Sequence, residues 1–261
     1  MSLVNSQPTA GKKLNTMREY LQAYILRILQ GQGFFRSAAF VGGTAIRFLH
    51  QLPRYSEGLD FSTLKKKPVD FAPLLKTLKN ELHLAGYDIS ITYKDTKVVQ
   101  NAFVGFSGLM FETGLSPRPL QQLSVKIEID SNPPAGAKLE TAVLNQYFPL
   151  AFVTHDIPSL LAGKIYALLS RRYLKGRDFF DLGWYLSRWP KVAPNIKFLR
   201  NALLQTKWTG PLPDENNWRE IIRRIVSKAD WKRVHNDVAN FLERPDDLNV
   251  FTKKNVLGLI G

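Results

Sequence analysis

Two adjacent glycines follow a short apolar stretch and precede a helical pattern. The sequence predicts a strand at 40–43 (FVGG) and a helix at 44–52 (TAIRFLHQL). Glycine lets a phosphate approach the backbone closely, and the free N–H groups at a helix start favour an anion. Gly42 and Gly43 therefore indicate a phosphate site, although a glycine pair before a helix also occurs in ordinary tight turns.

A single carboxylate lies in the next predicted strand, 59–64 (LDFSTL). Asp60 stands between apolar Leu59 and Phe61, so the alternation of a strand turns Asp60 away from the side that those two residues bury. A carboxylate that binds a metal ion and glycines that meet a phosphate are both needed for nucleotide chemistry. Asp60 is therefore a candidate metal ligand.

A second acidic motif, VKIEID at 125–130, lies in the predicted strand 123–130. Strict alternation places Lys126, Glu128 and Asp130 on one face. Two carboxylates at i and i+2 can hold one divalent cation, with Asp60 as a third ligand from another strand. An antiparallel strand with one solvated face alternates in the same way, and Lys126 then simply neutralises its neighbours. Both interpretations remain open at this point.

The stretch 160–186 (LLAGKIYALLSRRYLKGRDFFDLGWYL) combines an apolar helical stripe with basic and acidic residues. Lys164 and Arg171 are seven residues apart, and thus lie on one helix face two turns apart. Asp178 opens a second helix, where it would stabilise the helix dipole. Surface charge explains Arg171 equally well, whereas Lys164 lies near the apolar stripe.

The order of predicted elements is a helix, an αβ unit, an antiparallel β block and then a run of helices. This order indicates an α+β fold, with an α/β domain at 1–155 and a basic helical domain at 156–261. The predicted helices cover 15–30, 44–52, 69–84, 158–173, 178–188, 194–206, 214–228 and 230–243. The predicted strands cover 40–43, 59–64, 88–94, 98–106, 109–112 and 123–130.

The composition restricts the function classes. The chain has 261 residues, no cysteine and a net charge of +14, and its last 101 residues hold 19 basic against 10 acidic side chains. Such a surplus attracts a polyanion or simply keeps a surface solvated. The sequence lacks a membrane-spanning run, a signal-peptide core, paired histidines, a G-x-S-x-G elbow and a P-loop. We therefore expect a cytoplasmic protein that is neither a triad hydrolase nor a P-loop kinase.

Together, VGGTAIRFLH…RYSEGLDFS, VKIEID and LLAGKIYALLSRRYLKGRDFFDL resemble the AbiEii/AbiGii toxin family of the nucleotidyltransferase superfamily. The resemblance covers roughly residues 35–190. It implies a polymerase-β-like mixed sheet with flanking helices, followed by a helical domain. It also implies Mg²⁺-dependent transfer of a nucleotide from an NTP to an acceptor such as the 3′ end of tRNA, in a toxin paired with an antitoxin.

The resemblance also implies roles for individual residues. Asp60, Lys164 and Asp178 match the catalytic motifs, and Asp60, Glu128 and Asp130 would hold Mg²⁺. Nucleotide binding falls to a larger set: Gly42, Gly43, Thr44, Lys126, Lys164 and Arg177. Supporting roles fall to Glu57, Asp181 and Arg171. Asp178 would either orient Lys164 or deprotonate the acceptor hydroxyl.

Gly58 departs from the family pattern, which commonly has an Asp at this position. Glu57 would face the wrong side of a regular strand unless Gly58 marks a bulge that re-aims it. Two further hypotheses follow. The chain is a catalytically weakened module that binds nucleotide, RNA or a partner protein, or it is a protein-modifying (kinase-like or AMP-transferring) enzyme on the same fold.

Overall fold

The structure, a computed structural model, describes residues 2–65, 68–171 and 173–261. Arg172, which falls in the predicted helix 158–173, lies outside these residues, as do Lys66 and Lys67. The chain forms two compact units. The first comprises the described parts of Met1–Gln51, Tyr55–Pro133 and Thr141–Thr154, and the second comprises Leu52–Arg54, Pro134–Glu140 and the described parts of His155–Gly261. The predicted domain boundary between residues 155 and 156 remains a prediction. The second unit also contains two short segments from earlier in the chain, Leu52–Arg54 and Pro134–Glu140.

A mixed sheet forms the centre of the first unit. Within the described residues it has seven strands in the order β3-β4-β5-β2-β1-β7-β6. Strand β2 lies between β1, to which it is antiparallel, and β5, to which it is parallel. The strands are β1 Ala38–Val41, β2 Gly58–Thr63, β3 Ile89–Lys94, β4 Val99–Phe106, β5 Leu123–Asp130, β6 Leu139–Asn145 and β7 Pro149–His155.

Helices follow the strands in the first unit and make up most of the second. Those before β7 are α1 Ser2–Asn5, α2 Ala10–Gly31, α3 Gly42–His50, α4 Phe71–Leu84 and α5 Leu109–Glu112, with a 3₁₀ helix at Phe34–Arg36. Those after β7 are α6 Ile157–Ser170, α7 Gly176–Arg188, α8 Ile196–Gln205, α9 Trp218–Lys228, α10 Trp231–Ala239, α11 Asp247–Val250 and α12 Lys253–Ile260.

The inward side chains of β2 anchor it in the core. Leu59 is fully buried and Phe61 is 2% exposed. The Phe61 ring lies 5.0 Å from the Phe34 ring and 5.5 Å from the Phe40 ring, measured between centroids. Burying each such side chain contributes about 1.5–3 kcal/mol. The strand therefore cannot turn over, and Asp60 is fixed on the opposite face.

Helices also hold the segment that leads into β2. The Gln22 amide on α2 donates to the Ser56 carbonyl at 3.0 Å. The Arg47 guanidinium on α3 lies 4.1 Å from the centroid of the Tyr55 ring. The residues just before the strand are thus held by contacts that local periodicity does not reveal.

Capping and a close backbone contact position α6 and α7 in the second unit. Asp156 caps α6 by accepting a hydrogen bond from the Ser159 backbone at 2.9 Å, and Pro158 occupies the first turn. Helix α7 begins at Gly176, where a Cβ atom would lie only 2.1 Å from the Val234 carbonyl oxygen of α10. Glycine at this position lets the two helices meet backbone to backbone.

The predicted α+β class with a mixed sheet is confirmed. The strand predicted at 109–112 is wrong, because these residues form the short helix α5. Gly108 turns the chain with φ +77°, and its carbonyl accepts hydrogen bonds from Phe111 and Glu112 at 2.9 Å. A four-residue apolar run does not distinguish a short helix from a strand.

The sequence did not predict β6 and β7. The first is an edge strand with exposed side chains on both faces, so it lacks the alternation of a half-buried strand. The second begins with Pro149, a position that a strand tolerates. None of the helices in the described part of the chain has the length and hydropathy needed to cross a bilayer.

Gly176→Ala should destabilise the protein by about 1–3 kcal/mol, because the added methyl group meets backbone that cannot move aside cheaply. Gly163→Ala in α6 is the control, since a Cβ there would have no neighbour within 4 Å. The control should be neutral or stabilising by up to about 1 kcal/mol. Urea unfolding measures both variants, and equal stabilities would contradict the close contact at Gly176.

Candidate active site

The Asp60 carboxylate lies against the backbone where α3 begins. Gly42 has φ +78°, and a Cβ atom there would lie 2.3 Å from Asp60 Oδ2. Both the conformation and the space therefore require glycine. Val41, the residue before the helix, provides no side-chain cap. The first turn of α3 and the half-buried Asp60 carboxylate thus adjoin one another.

Asp60 and Glu128 are direct partners in the β2–β5 ladder. Paired residues on neighbouring strands project to the same face, about 4.8 Å apart at their backbones. Lys126 on the same face forms an ion pair with Glu128 at 2.8 Å, and both side chains are more than a third exposed. The neutralising role considered for Lys126 therefore exists in the structure, next to a pair of carboxylates.

Other predicted residues of the first unit have structural contacts. The Thr44 side chain is fully buried and its hydroxyl donates to the Gly58 carbonyl, which ties α3 to β2. Asp130 pairs with Ser62 in the ladder, and its carboxylate accepts from the Asn132 backbone at 3.0 Å. These contacts engage the Thr44 hydroxyl and one oxygen of the Asp130 carboxylate.

Gly58 does not mark a bulge. Its ladder with β5 continues without interruption from Gly58 to Ser62. Glu57 is exposed and lies outside the strand. A Cβ atom at residue 58 would lie 2.9 Å from the Lys126 carbonyl oxygen, so a side chain there requires a shift of the strands. The re-aiming of Glu57 by a bulge is therefore wrong.

A buried charge network occupies the second unit. The Lys164 ammonium on α6 lies 2.6 Å from Asp181 Oδ2 and 3.2 Å from Asp178 Oδ1, both on α7. Asp181 is fully buried and Asp178 is 2% exposed. Asp178 and Asp181 are three residues apart in one helix, so both face the same neighbour. The structure thus brings the predicted catalytic Lys164 and Asp178 together.

Arg54 completes this network, and sequence reasoning missed it. Its guanidinium donates to both oxygens of Asp181, at 2.6 Å each, in the bidentate geometry that binds a carboxylate most firmly. Arg54 opens the stretch RYSEGLDFS, six residues before Asp60. The sequence around Arg54 gave only one indication of its role, namely its closeness to that motif. Its partner, Asp181, is 127 residues away in the chain.

The network fixes the charge of its members. Burial pushes the pKa of Lys164 down, but the carboxylates of Asp181 and Asp178 outweigh it, so this pKa lies above its usual value. Burial pushes the pKa of Asp181 up, but Arg54 and Lys164 outweigh it, so this pKa lies below its usual value. Lys164 is therefore kept as an ammonium and Asp181 as a carboxylate.

Asp178 also faces a pocket. Its Oδ2 lies 3.1 Å from Arg171 Nε but receives no hydrogen bond from the residues that the structure describes. Asp178 lines a pocket of about 300 Å³ together with Arg171, Tyr173, Lys175 and Lys228, among other residues. Burial lowers the pKa of Lys175, the Asp178 carboxylate opposes this shift, and Arg171 adds to it. This pocket suits an anion.

Arg177 takes part in different contacts. Its guanidinium lies 4.0 Å from the centroid of the Phe241 ring, and its backbone N–H donates to Asp237 at 3.2 Å. Within the described residues, no group of three or more His, Asp or Glu side chains is arranged to hold a metal ion. The assignments of catalytic, nucleotide-binding and metal residues remain predictions.

Solved structures share this fold. A protein from H. pylori, described as a candidate nucleotidyltransferase, has a TM-score of 0.57 at 16% identity and covers 92% of this chain and 91% of that chain. JHP933 from Helicobacter pylori has a TM-score of 0.56 at 17% identity, with 93% and 90% covered. At such identities the likeness shows the fold alone. No curated protein matches the sequence.

The family follows from the sequence profile. The family described as "Nucleotidyl transferase AbiEii toxin, Type IV TA system" matches residues 25–252. Because this range covers most of the chain, the protein belongs to that family. It is a nucleotidyltransferase, of the class that acts as the toxin of a type IV toxin–antitoxin system. The family and the enzyme class expected from the sequence are thereby confirmed.

Arg54→Ala should destabilise the protein by about 3–5 kcal/mol, because it breaks a buried ion pair and leaves Asp181 with less compensation. Arg54→Lys should fall in between, since it keeps the charge but loses the fork. Arg224→Ala is the control, because its ion pair with Glu220 is exposed and worth about 0.5 kcal/mol at most. Urea unfolding of the four proteins tests this, and a loss at Arg54 no larger than the control's would contradict it.

The same pair has a pH signature. Because the pKa of Asp181 is lowered in the folded state, its contribution is present above the ordinary carboxyl pKa of about 3.9. That contribution is lost as the pH falls through the lowered pKa. Arg54→Ala should therefore lose less stability than wild type between about pH 5 and pH 2.

Proposed function

We propose that the protein uses Mg²⁺ to transfer a nucleotide from an NTP to a hydroxyl group of an RNA acceptor such as the 3′ end of tRNA. The observation that carries the proposal is the contact between the α3 start at Gly42 and the Asp60 carboxylate, which is paired with Glu128. In the reaction, the acceptor hydroxyl loses its proton and its oxygen bonds to the α-phosphorus. Pyrophosphate then leaves.

The carboxylates on the sheet fit Mg²⁺. Protein sites for this ion usually supply one or two carboxylates, while waters and substrate phosphates complete the octahedron. Asp60 and Glu128 satisfy that requirement, so the lack of a three-residue cluster in the described chain does not count against the ion. When bound, Mg²⁺ would neutralise charge on the phosphates. Asp130, two residues along β5, is a further ligand for the same face.

Lys126 acquires a role in this scheme. Its ammonium pairs with Glu128 at 2.8 Å, and both groups are partly exposed. Glu128 would hold Mg²⁺, and the Lys126 ammonium beside it would bind a phosphate oxygen of the NTP. Because both side chains are partly exposed, neither role requires a buried, unpaired charge.

In the second unit, Lys164 would bind the triphosphate and Asp178 would act on the acceptor. Asp181 and Arg54 hold Lys164 as a cation in a fixed position, which suits a point-charge contact with phosphate. Asp178 offers Oδ1 to Lys164, while Oδ2 receives no hydrogen bond from the described residues and faces the pocket with Arg171. That oxygen is buried and ion-paired with Arg171, so the Arg171 contact would have to open before Oδ2 accepts the proton of a hydroxyl group. Arg177 would support the nucleotide.

The charge distribution supports an RNA acceptor, since residues 161–261 carry 19 basic against 10 acidic side chains. A cognate antitoxin and a cytoplasmic location follow from the same proposal. One observation favours a weakened enzyme that binds a nucleotide without turnover, namely the missing carboxylate at Gly58. The assay below distinguishes the two.

Incubation of total tRNA with each labelled NTP and Mg²⁺ should give labelled RNA with the wild type. Asp60→Asn and Lys164→Ala should each lose at least about a hundredfold in rate, because removing a group that stabilises transition-state charge typically costs that much. Glu81→Gln and Lys79→Ala are controls, since both side chains are exposed on α4. Circular dichroism confirms folding of each variant.

Nucleotide binding by calorimetry completes the experiment. Binding of Mg·NTP by the wild type, with no label on any RNA and no growth defect on expression, would favour the weakened module. Unchanged transfer by Asp60→Asn would show that the active site lies elsewhere.

A further inference from the structure

The face of the sheet that carries Asp60 extends across three more strands. Asp60 pairs with Glu128 on β5, Glu128 pairs with Asn101 on β4, and Asn101 pairs with Lys94 on β3. Paired residues share a face, and neighbouring strands lie about 4.8 Å apart. Asn101 is therefore about 10 Å from Asp60 along the sheet, and Lys94 about 14 Å.

A second row of residues runs beside the first. Gly58 pairs with Lys126, Lys126 pairs with Phe103, and Phe103 pairs with Thr92. Phe103 is 44% exposed, and its ring centroid lies 5.6 Å from the Lys126 ammonium. An aromatic ring thus stands on the polar face of the sheet, with a cation beside it.

The exposure of Phe103 differs from that of a nearby aromatic residue. Tyr93 on β3 is 46% exposed, but it pairs with buried Ala102 and so projects to the opposite face. Its ring packs edge-on against Phe71 of α4, at 6.1 Å between centroids. Tyr93 therefore has a packing role, whereas Phe103 presents its ring on the face of the candidate metal site.

We propose that this face binds the single-stranded end of the nucleic acid acceptor, through a β4 strip defined as Lys94, Asn101, Phe103 and Lys126. A base stacks on Phe103, the Asn101 amide offers a donor and an acceptor to a base edge, and Lys94 meets a phosphate of the strand. Lys126, which serves the NTP, lies beside the Phe103 ring. The inference rests on the proposed function, which places the reacting hydroxyl group near Asp60.

The chemistry of the strip favours a nucleic acid strand. Proteins recognise unpaired bases on sheets with exposed aromatic side chains, and they hold the strand with flanking cations. A duplex keeps its bases stacked inside and offers none to Phe103. The net charge of +14 adds a long-range attraction for the strand. A protein acceptor would have no general need for a stacking ring beside two lysines.

Fluorescence anisotropy with a labelled ten-nucleotide single-stranded RNA, in Mg²⁺ without NTP, tests the strip. Phe103→Ala should raise Kd about 5- to 150-fold, the range for loss of one base stack. Phe103→Trp should restore binding. Tyr93→Ala is the matched control, because it removes an equally exposed ring from the other face, and it should change Kd less than twofold.

Further arms of the experiment identify the ligand. A fully paired RNA of the same sequence should bind more weakly and be insensitive to Phe103→Ala, and single-stranded DNA shows whether the sugar matters. Mg·NTP affinity, measured by calorimetry, should not change in Phe103→Ala. In the transfer assay the same variant should raise the KM for RNA while leaving that for NTP unchanged.

Three results would overturn the β4 strip. These are a wild type that binds no single-stranded RNA, equal effects of Phe103→Ala and Tyr93→Ala, and transfer only to protein acceptors with no competition by RNA. A different result would overturn the proposed function alone: RNA binding that depends on Phe103 in a protein that transfers no nucleotide.

Discussion

The close contact between the Gly42 backbone and the Asp60 carboxylate constrains the first unit. Pairing of Val41 with Asp60 places the start of α3 beside the carboxylate, and the buried Leu59 and Phe61 prevent the strand from turning away. A helix start stabilises a neighbouring anion. Asp60 already occupies that position, so a phosphate can join it only with a cation between the two negative groups. Under the proposed function, the conformation of Gly42 would therefore couple nucleotide binding to the metal ion.

In the second unit, cationic side chains of the protein compensate the charge of buried carboxylates. Arg54, Lys164 and Arg171 surround the buried carboxylates Asp178 and Asp181, and formal charges give the cluster a surplus of one positive charge. Asp181 uses both oxygens on Arg54. Since Asp181 is satisfied in this way, it fixes Lys164 in place, and the cluster keeps its positive surplus.

The sequence correctly predicted the features that depend on a local alternation of polar and apolar residues. The pattern VKIEID predicted the correct face for Lys126, Glu128 and Asp130. A shift of the strand register by one residue would bury all three side chains, so the pattern allows only one face. It could not give the pairing of Asp60 with Glu128, because strand register depends on contacts 68 residues apart in the chain. Arg54 was missed for the same reason.

Gly58 has a steric explanation that bears on the number of metal ions. A side chain there would press on the Lys126 carbonyl group, so the present register of β2 and β5 excludes a carboxylate at residue 58. Glu128 supplies the second carboxylate from the neighbouring strand, about 4.8 Å from Asp60 at the backbone, whereas residues i and i+2 of one strand are about 6.8 Å apart. The shorter separation suits two ligands of one ion. A second ion would have to rely on Asp130 and the substrate, so under the proposed function this arrangement would favour one metal ion held between β2 and β5.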